Sequence, residues 1–368
     1  MKIGLILLSA RHNPLPSTRI AVLNMLPHLA KAGIETEVIY EPDSAADTPS
    51  LPETLCEKIL ATGCDLVLFQ RVRGPSAVQL VRRLSAQGVK TAYMLCDLID
   101  VEMAEATDGT LAVTEFLRSL HPANLREKVY VVHDGIERPD VVKSEPSSSR
   151  GTRQRPLRAV LVSSASLDAL PILGYPPEWL QVTIVGRYAR RLRLLDRFNG
   201  ARWTLAEKAT SAERRAYLRF LLHPRIRRVA WDASDVYRHL LQADIGIIPV
   251  DATGSWRTVV PGVPGWMSKS ENRLSLMMSV GLPVIATPIP AYEAVIDQGR
   301  NGFLARNLEE WMGALEVLRD PAARGRIGNA ARATVHQRFS MERQAELLVA
   351  ALHSIAGRSS SSAKRSIQ

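Results

Sequence analysis

The residues with the most chemical reach stand together at Ser268-Lys269-Ser270-Glu271-Asn272-Arg273, just ahead of an apolar run that closes with Gly281-Leu282-Pro283 and Val284 to Thr287. This order reads as a polar loop, a short apolar helix, a Gly-Pro stop and a buried strand. The first amides of a helix have no intrahelical partner, and the aligned peptide dipoles add positive partial charge there. With Lys269 and Arg273 beside it, such an entry is a natural anion site, and phosphate is the chemistry it fits. The same pattern also occurs as a solvated connection in α/β proteins, so the surrounding elements must decide.

The chain of 368 residues is too long for one ordinary core and predicts two domains. Hydrophobic residues at 46% and charged residues at 23% are those of a globular protein rather than a disordered one. No apolar run approaches the roughly 20 residues that span a bilayer. The opening MKIGLILLSA runs at once into Arg11-His12-Asn13 and reads as a first strand, not a signal peptide. Cys56, Cys64 and Cys96 form an odd set without metal-ligand spacing, which predicts packing roles, a reducing cytoplasm and no metal centre. A net charge of +10 calls for anionic company: nucleic acid, an anionic membrane surface or phosphorylated substrates. Basic residues concentrate at Arg187 to Arg197 and Arg214 to Arg228 with few aromatics between them. That favours a charged face over a base-stacking platform, so nucleic acid is not expected.

Apolar strand runs alternate with amphipathic helices from residue 1 to about 137, at Ile3 to Ser9, Glu35 to Tyr40, Asp65 to Phe69, Lys90 to Leu95 and Val129 to His133. Helices are expected over Ser17 to Lys31, capped by Ser17 or Thr18, and over Ser76 to Gln87. The alternation predicts a parallel doubly wound sheet with its ligand side at the carboxyl ends of the strands. Arg19 falls in a first helical turn, where a cation is disfavoured unless an anion joins it. Asp97 and Asp100 follow the strand from Lys90; Asp100 suits a helix cap, and Asp97 a base or a ligand of sugar hydroxyls. Glu115 and the turn His133-Asp134-Gly135 close this half.

The stretch 141–156 is rich in Ser, Pro, Arg and Lys and predicts a flexible linker; 358–368 predicts a disordered tail. Alternation then restarts at Arg158 to Val162, Val182 to Val185 and Arg228 to Trp231, with a helix from Val236 and a strand Asp244 to Val250. Helices over Leu308 to Leu318, Pro321 to Arg338 and Met341 to Ala356 finish the chain. The boundaries read as domains 1–140 and 157–338 with a last helix at 339–357.

Asp244-Ile-Gly-Ile-Ile-Pro, Gly281-Leu-Pro-Val-Ile-Ala, Ala291 to Leu304, Val113-Thr-Glu-Phe and Val132-His-Asp-Gly-Ile, in this order and spacing, resemble the GT-B glycosyltransferases. More narrowly they are similar to the retaining family 4 enzymes. The resemblance implies an α/β protein of two Rossmann-like domains facing each other across a cleft, with the C-terminal helix crossing back to the first. It also implies glycosyl transfer with retention, from a nucleoside diphosphate sugar held by the second domain to an acceptor held by the first. The family's two glutamates would fall on Ser268 and Leu276, so both carboxylates are replaced, and Lys269-Ser270-Glu271-Asn272-Arg273 looks like a variant pattern.

On this reading Asp97, Lys269 and Arg273 are the catalytic candidates, the two cations meeting the departing diphosphate without a metal or other cofactor. Ser163, Ser164, Gly186, Arg187, Trp231, Asp232, Ser270, Glu271, Asn272 and Arg273 would bind donor, with Trp231 equally suited to core packing. Arg19, Asp100 and Glu115 would lie on the acceptor side. The loop Thr253 to Met267, with Gly254, Gly262, Gly265, Trp256 and Trp266, reads as a flap over the donor or as a surface excursion. The acceptor would be a glycan, a lipid-linked sugar or a small molecule, and the location cytoplasmic, with anionic membrane as a further partner. The rivals are a sugar-nucleotide epimerase on the same scaffold and a partner subunit that binds donor without turning it over.

Overall fold

The computed structural model describes residues 1–144, 147–188, 194–252 and 258–357, with the side chains of 194–199 outside that description. Parts of four expectations lie outside the described residues: 145–146 of the linker, 189–193 of the basic run, Gly254 and Trp256 of the loop, and the tail 358–368. The chain divides into two units. Unit 1 holds the described residues of Met1–Glu137, Trp256–Ser270 and Arg338–Gln368, and unit 2 those of Arg138–Ser255 and Glu271–Gln337.

Unit 1 begins with β1 (Lys2–Leu7), α1 (Pro16–Ala21), α2 (Leu26–Lys31), β2 (Glu35–Tyr40), α3 (Leu55–Thr62) and β3 (Leu66–Gln70). It continues with α4 (Pro75–Ala86), β4 (Lys90–Leu95), α5 (Val101–Ala106), β5 (Gly109–Ala112), α6 (Glu115–Ser119) and β6 (Val129–Val131). The six strands lie in the order β2-β1-β3-β4-β5-β6, every neighbour parallel. Ile3, Leu5 and Leu7 enter one apolar cluster and Ile6 the other, and Leu68 and Phe69 divide the same way. Both faces are covered, which is why these strands read as unbroken apolar runs instead of alternating ones.

The expected single helix over Ser17 to Lys31 is two helices joined by a 3-10 turn at Leu23–Met25. Prolines account for this. Pro16 stands in the first turn of α1 and Pro27 in that of α2, where a missing N–H and a preset φ start a helix and cannot continue one. The cap is Leu15, so neither Ser17 nor Thr18 caps the helix.

Unit 2 contains β7 (Leu157–Val162), β8 (Leu180–Gly186), α7 (Leu194–Glu207), α8 (Ser211–Leu222), β9 (Ile226–Ala230), α9 (Val236–Gln242) and β10 (Ile245–Ile248). The hairpin β11 (Thr258–Val260) and β12 (Val263–Pro264) counts with unit 1. Then follow α10 (Asn272–Ser279), β13 (Val284–Ala286), α11 (Pro290–Glu293), β14 (Phe303–Leu304), α12 (Leu308–Val317), α13 (Pro321–Phe339) and α14 (Met341–Ile355). The second sheet runs β14-β13-β10-β7-β8-β9, again parallel throughout. Its core packs Leu157, Ala159 and Leu161 of β7 with Trp311 and Leu315 of α12 and Ile327 of α13.

The terminal helix α14 lays Ala345, Leu348, Leu352 and Ile355 in the cluster that holds Ile3, Leu5 and Leu29, so it completes the core of unit 1. The region of α7 and α8 carries no strong apolar period, and sequence reasoning predicts no helix there. Its legible signal is the capping box in which Thr210 and Glu213 bond each other's amides. The described part of the expected linker is tied into unit 2. Lys143 Nζ donates to the carbonyls of Leu241 at 3.1 Å and Ala243 at 2.8 Å. The buried Arg324 holds the carbonyls of Ser147 and Ser149.

Helix α10 ends at a turn where Gly281 has φ +87°, a conformation that strains any L side chain. A Cβ on Gly328 of α13 would sit 2.2 Å from the Gly281 carbonyl oxygen, so the helix meets this turn through bare backbone. Gly328→Ala is expected to lower stability by about 1–3 kcal/mol, the usual cost of overpacking. Gly313→Ala, in α12 with open space around it, is expected to raise stability by up to about 1 kcal/mol through helix propensity. Urea midpoints check the pair, and equal midpoints would defeat the close-packing argument.

Candidate functional site

Ligands of doubly wound parallel sheets collect beyond the strands' carboxyl ends, where the strand order reverses. In unit 2 that point lies between β7 and β10, and in unit 1 between β1 and β3.

In unit 2, Ser163 and Ser164 follow β7 at the reversal. Ser163 is buried and its Oγ accepts from the Ala165 amide at 3.1 Å, while Ser164 is exposed. Gly186 ends β8, and a Cβ there would lie 2.6 Å from the Ala165 carbonyl oxygen, so only glycine lets these two strand ends close together. Arg187 is exposed. The amide of Trp231 donates to the Gly186 carbonyl at 2.7 Å, and the residue is half-buried just past β9. Asp232 Oδ1 accepts from the amides of Ser234 at 2.9 Å and Asp235 at 3.2 Å, a turn that leads into α9.

Asn272 and Arg273 open α10 and are half-buried, preceded by Glu271 at 2% exposure. The amides of this first turn have no intrahelical partner. The Tyr292 hydroxyl on α11 is buried with no hydrogen-bond partner of good geometry among the described residues. Burial pushes its pKa up, the Arg273 charge opposing and Glu271 adding to the rise. Glu271 and Arg273 thus both act on the buried Tyr292 hydroxyl. Leu276 is half-buried and Ser268 buried, at the positions where the resemblance would put glutamates.

In unit 1, Asp97 lies between two cations: Arg71 NH2 is 3.2 Å from Oδ1 and Lys269 Nζ is 3.4 Å from Oδ2. Ser268 Oγ donates to the Asp97 carbonyl at 2.8 Å, and Ser270 Oγ to Asp134 Oδ2 at 3.3 Å. Lys269 and Ser270, read from sequence with the donor motif, are thus engaged by carboxylates of unit 1. Arg71 has φ +59°, rare for a residue with a side chain and a recurrent mark of functional sites. Burial pushes the Cys96 thiol well above its usual range, so it stays protonated at neutral pH.

Arg19 is bound by Glu137, Nε to Oε1 at 2.8 Å and NH2 to Oε2 at 3.0 Å. The anion that this cation calls for is supplied by the protein itself. Thr18 forms a buried relay, accepting from Ser9 Oγ at 2.8 Å and donating to Gln70 Oε1 at 2.9 Å. Asp100 caps α5 by accepting from the Met103 amide at 3.0 Å, and its other oxygen lies 3.4 Å from Arg73. Glu115 is exposed in the first turn of α6, 3.4 Å from Arg118.

Sequence reasoning missed Arg71, Gln70 and Tyr292. Gln70-Arg71 directly follows the apolar run Leu66 to Phe69, so its place at a strand's carboxyl end was a usable signal; Tyr292 lies within the quoted stretch Ala291 to Leu304, but nothing local marks its hydroxyl. Among the described residues no group of three His, Cys, Asp or Glu could hold a metal ion, and no helix is long and apolar enough to cross a membrane.

Residues 259–350 match a family model described as glycosyl transferase-like. No curated protein matches the chain by sequence. Among solved structures, HepE of Anabaena in complex with UDP and glucose superposes with a TM-score of 0.64 at 16% identity, covering 96% of this chain and 100% of that one. A glycosyltransferase from Rickettsia africae gives 0.64 at 13% identity over 97% and 99% of the two chains. Sucrose-phosphate synthase from Thermosynechococcus elongatus gives 0.62 at 15% over 97% and 99%. With its two six-stranded parallel sheets, the chain has the GT-B fold, and its residues 259–350 form a glycosyl transferase-like region.

Proposed function

We propose that this protein is a glycosyltransferase that moves a sugar, with retention, from a nucleoside diphosphate sugar to a glycan, lipid-linked or small-molecule acceptor. The observation that carries the reading is the first turn of α10, with Arg273 beside its open amides, inside the region that matches the glycosyl transferase-like model. As the anomeric bond breaks, negative charge grows on the departing diphosphate. Fixed donors at that point lower the barrier because they need no reorganisation. Ser163, Ser164 and Gly186 belong to the same unit and suit donor phosphate and nucleoside. Asp97, with Arg71 and Lys269 holding it, suits an acceptor hydroxyl. Basic side chains and amides take the role a metal ion would fill, so transfer is expected to persist in EDTA. The protein works in the cytoplasm on this reading. HepE, a structural neighbour, was solved with UDP-glucose, which makes UDP the first nucleotide to try.

A thermal-shift panel of UDP, GDP, ADP, CDP and dTDP tests the reading. A ligand at about 100 times its Kd stabilises by about 2.7 kcal/mol, roughly 5–10 °C for domains of this size. No shift with any of them would sink the proposal. A shift without release of diphosphate from the matching sugar donor, with acceptor extracts present, would favour the non-catalytic partner subunit. The replacement of both family glutamates by Ser268 and Leu276 is the feature that keeps that reading alive.

A further inference from the structure

Helix α8 turns an unusual face to solvent. Arg214, Arg215, Leu218 and Leu222 recur at helical spacing on one side, and Tyr217 and Phe220 are buried on the other. Leu218 is 39% and Leu222 76% exposed, and Arg219 flanks them. The helix has one acidic residue, Glu213, whose carboxylate is occupied in the capping box with the Thr210 amide at 3.1 Å. One connection earlier, α7 exposes Trp203 at 73%.

We propose that this face of α8 docks the protein on an anionic lipid surface. Guanidinium groups supply attraction to phosphate headgroups, and the two leucines supply apolar area that gains by entering the headgroup boundary. Charge complementarity favours this occupant, since the whole chain carries +10 and the face holds no free carboxylate. A nucleic acid would use the arginines but leave the leucines in water. The inference does not depend on sugar transfer, because vesicle binding is measured without donor or acceptor.

Co-sedimentation of the full chain with phosphatidylcholine vesicles, with and without added phosphatidylglycerol, tests it. Binding is expected only to the anionic vesicles and should weaken as salt rises. Arg215→Glu should cost about fivefold or more in affinity, one basic residue near the surface being worth about 1 kcal/mol. Leu218→Ser with Leu222→Ser should cost about tenfold, following the lost apolar area. Arg215→Glu should keep the wild-type melting temperature, as that side chain is exposed, and Leu222→Ser alone, at the more exposed leucine, should weaken binding without loss of fold. Failure of the wild type to bind, or undiminished binding by either variant, overturns the inference. So does binding of RNA or a protein partner that responds to these substitutions while vesicles are ignored.

Discussion

Arg273→Ala should lower sugar transfer by about 100- to 1,000-fold, the usual loss when one donor to a developing oxyanion is removed. Arg273 stands in the first turn of α10, where the helix dipole disfavours a cation unless an anion offsets it. The buried Glu271 is one such anion, and the diphosphate leaving group is the other in this reading. Because leaving-group charge grows toward the transition state, the loss should fall on kcat more than on KM. Arg273→Lys keeps the charge and loses the planar fork, so it should recover part of the rate. A variant with a wild-type melting temperature and a kcat within about threefold of wild type would remove Arg273 from the chemistry.

Arg324→Ala should destabilise the protein by about 3–5 kcal/mol, because several buried carbonyls lose their donor and a large side chain leaves a cavity. Arg324 is 1% exposed, and its guanidinium donates to four carbonyls: Leu318 at 2.7 Å, Arg319 at 3.0 Å, Ser147 at 2.5 Å and Ser149 at 2.6 Å. Alanine leaves those oxygens without their donors and opens a cavity. The expected fall in melting temperature is roughly 6–20 °C. Proteolysis within 141–156 should quicken, because that stretch loses its tie to α13. Arg324→Lys offers fewer donors in another geometry and should fall between. A melting temperature unchanged in Arg324→Ala would show that the carbonyls find other partners.

Much of the fold was legible because strand and helix periods are local. Apolar runs such as Leu66 to Phe69 and Val182 to Val185, with helices between them, are enough for a parallel sheet covered on both faces. Gly281 before Pro283 marked the end of α10, since a positive φ there suits only glycine. Pro16 and Pro27 are equally local signals, and they divide a stretch whose apolar period alone predicts one helix.

The candidate site was less legible. Types and order put Asp97, Lys269 and Arg273 forward as charges beyond a strand end and at a helix start, but the same signal put forward Asp100, which caps α5, and Arg19, which pairs with Glu137. Their partners are set by chain folding. Lys269 meets Asp97 across 172 residues, and Arg19 meets Glu137 across 118. No local period encodes such pairings; they follow from strand order, which brings the ends of β3 and β4 and the segment before α10 into one place within unit 1. Composition alone reads 141–156 as a loose linker, and the buried Arg324 ties down its Ser147 and Ser149 carbonyls. Neighbours along the chain were enough to read most strands, the two-sheet architecture and a short list of charged candidates, but not α7, α8 or the division of α1 from α2. Which charge faces which follows from burial and strand order, since these choose partners that the chain keeps far apart.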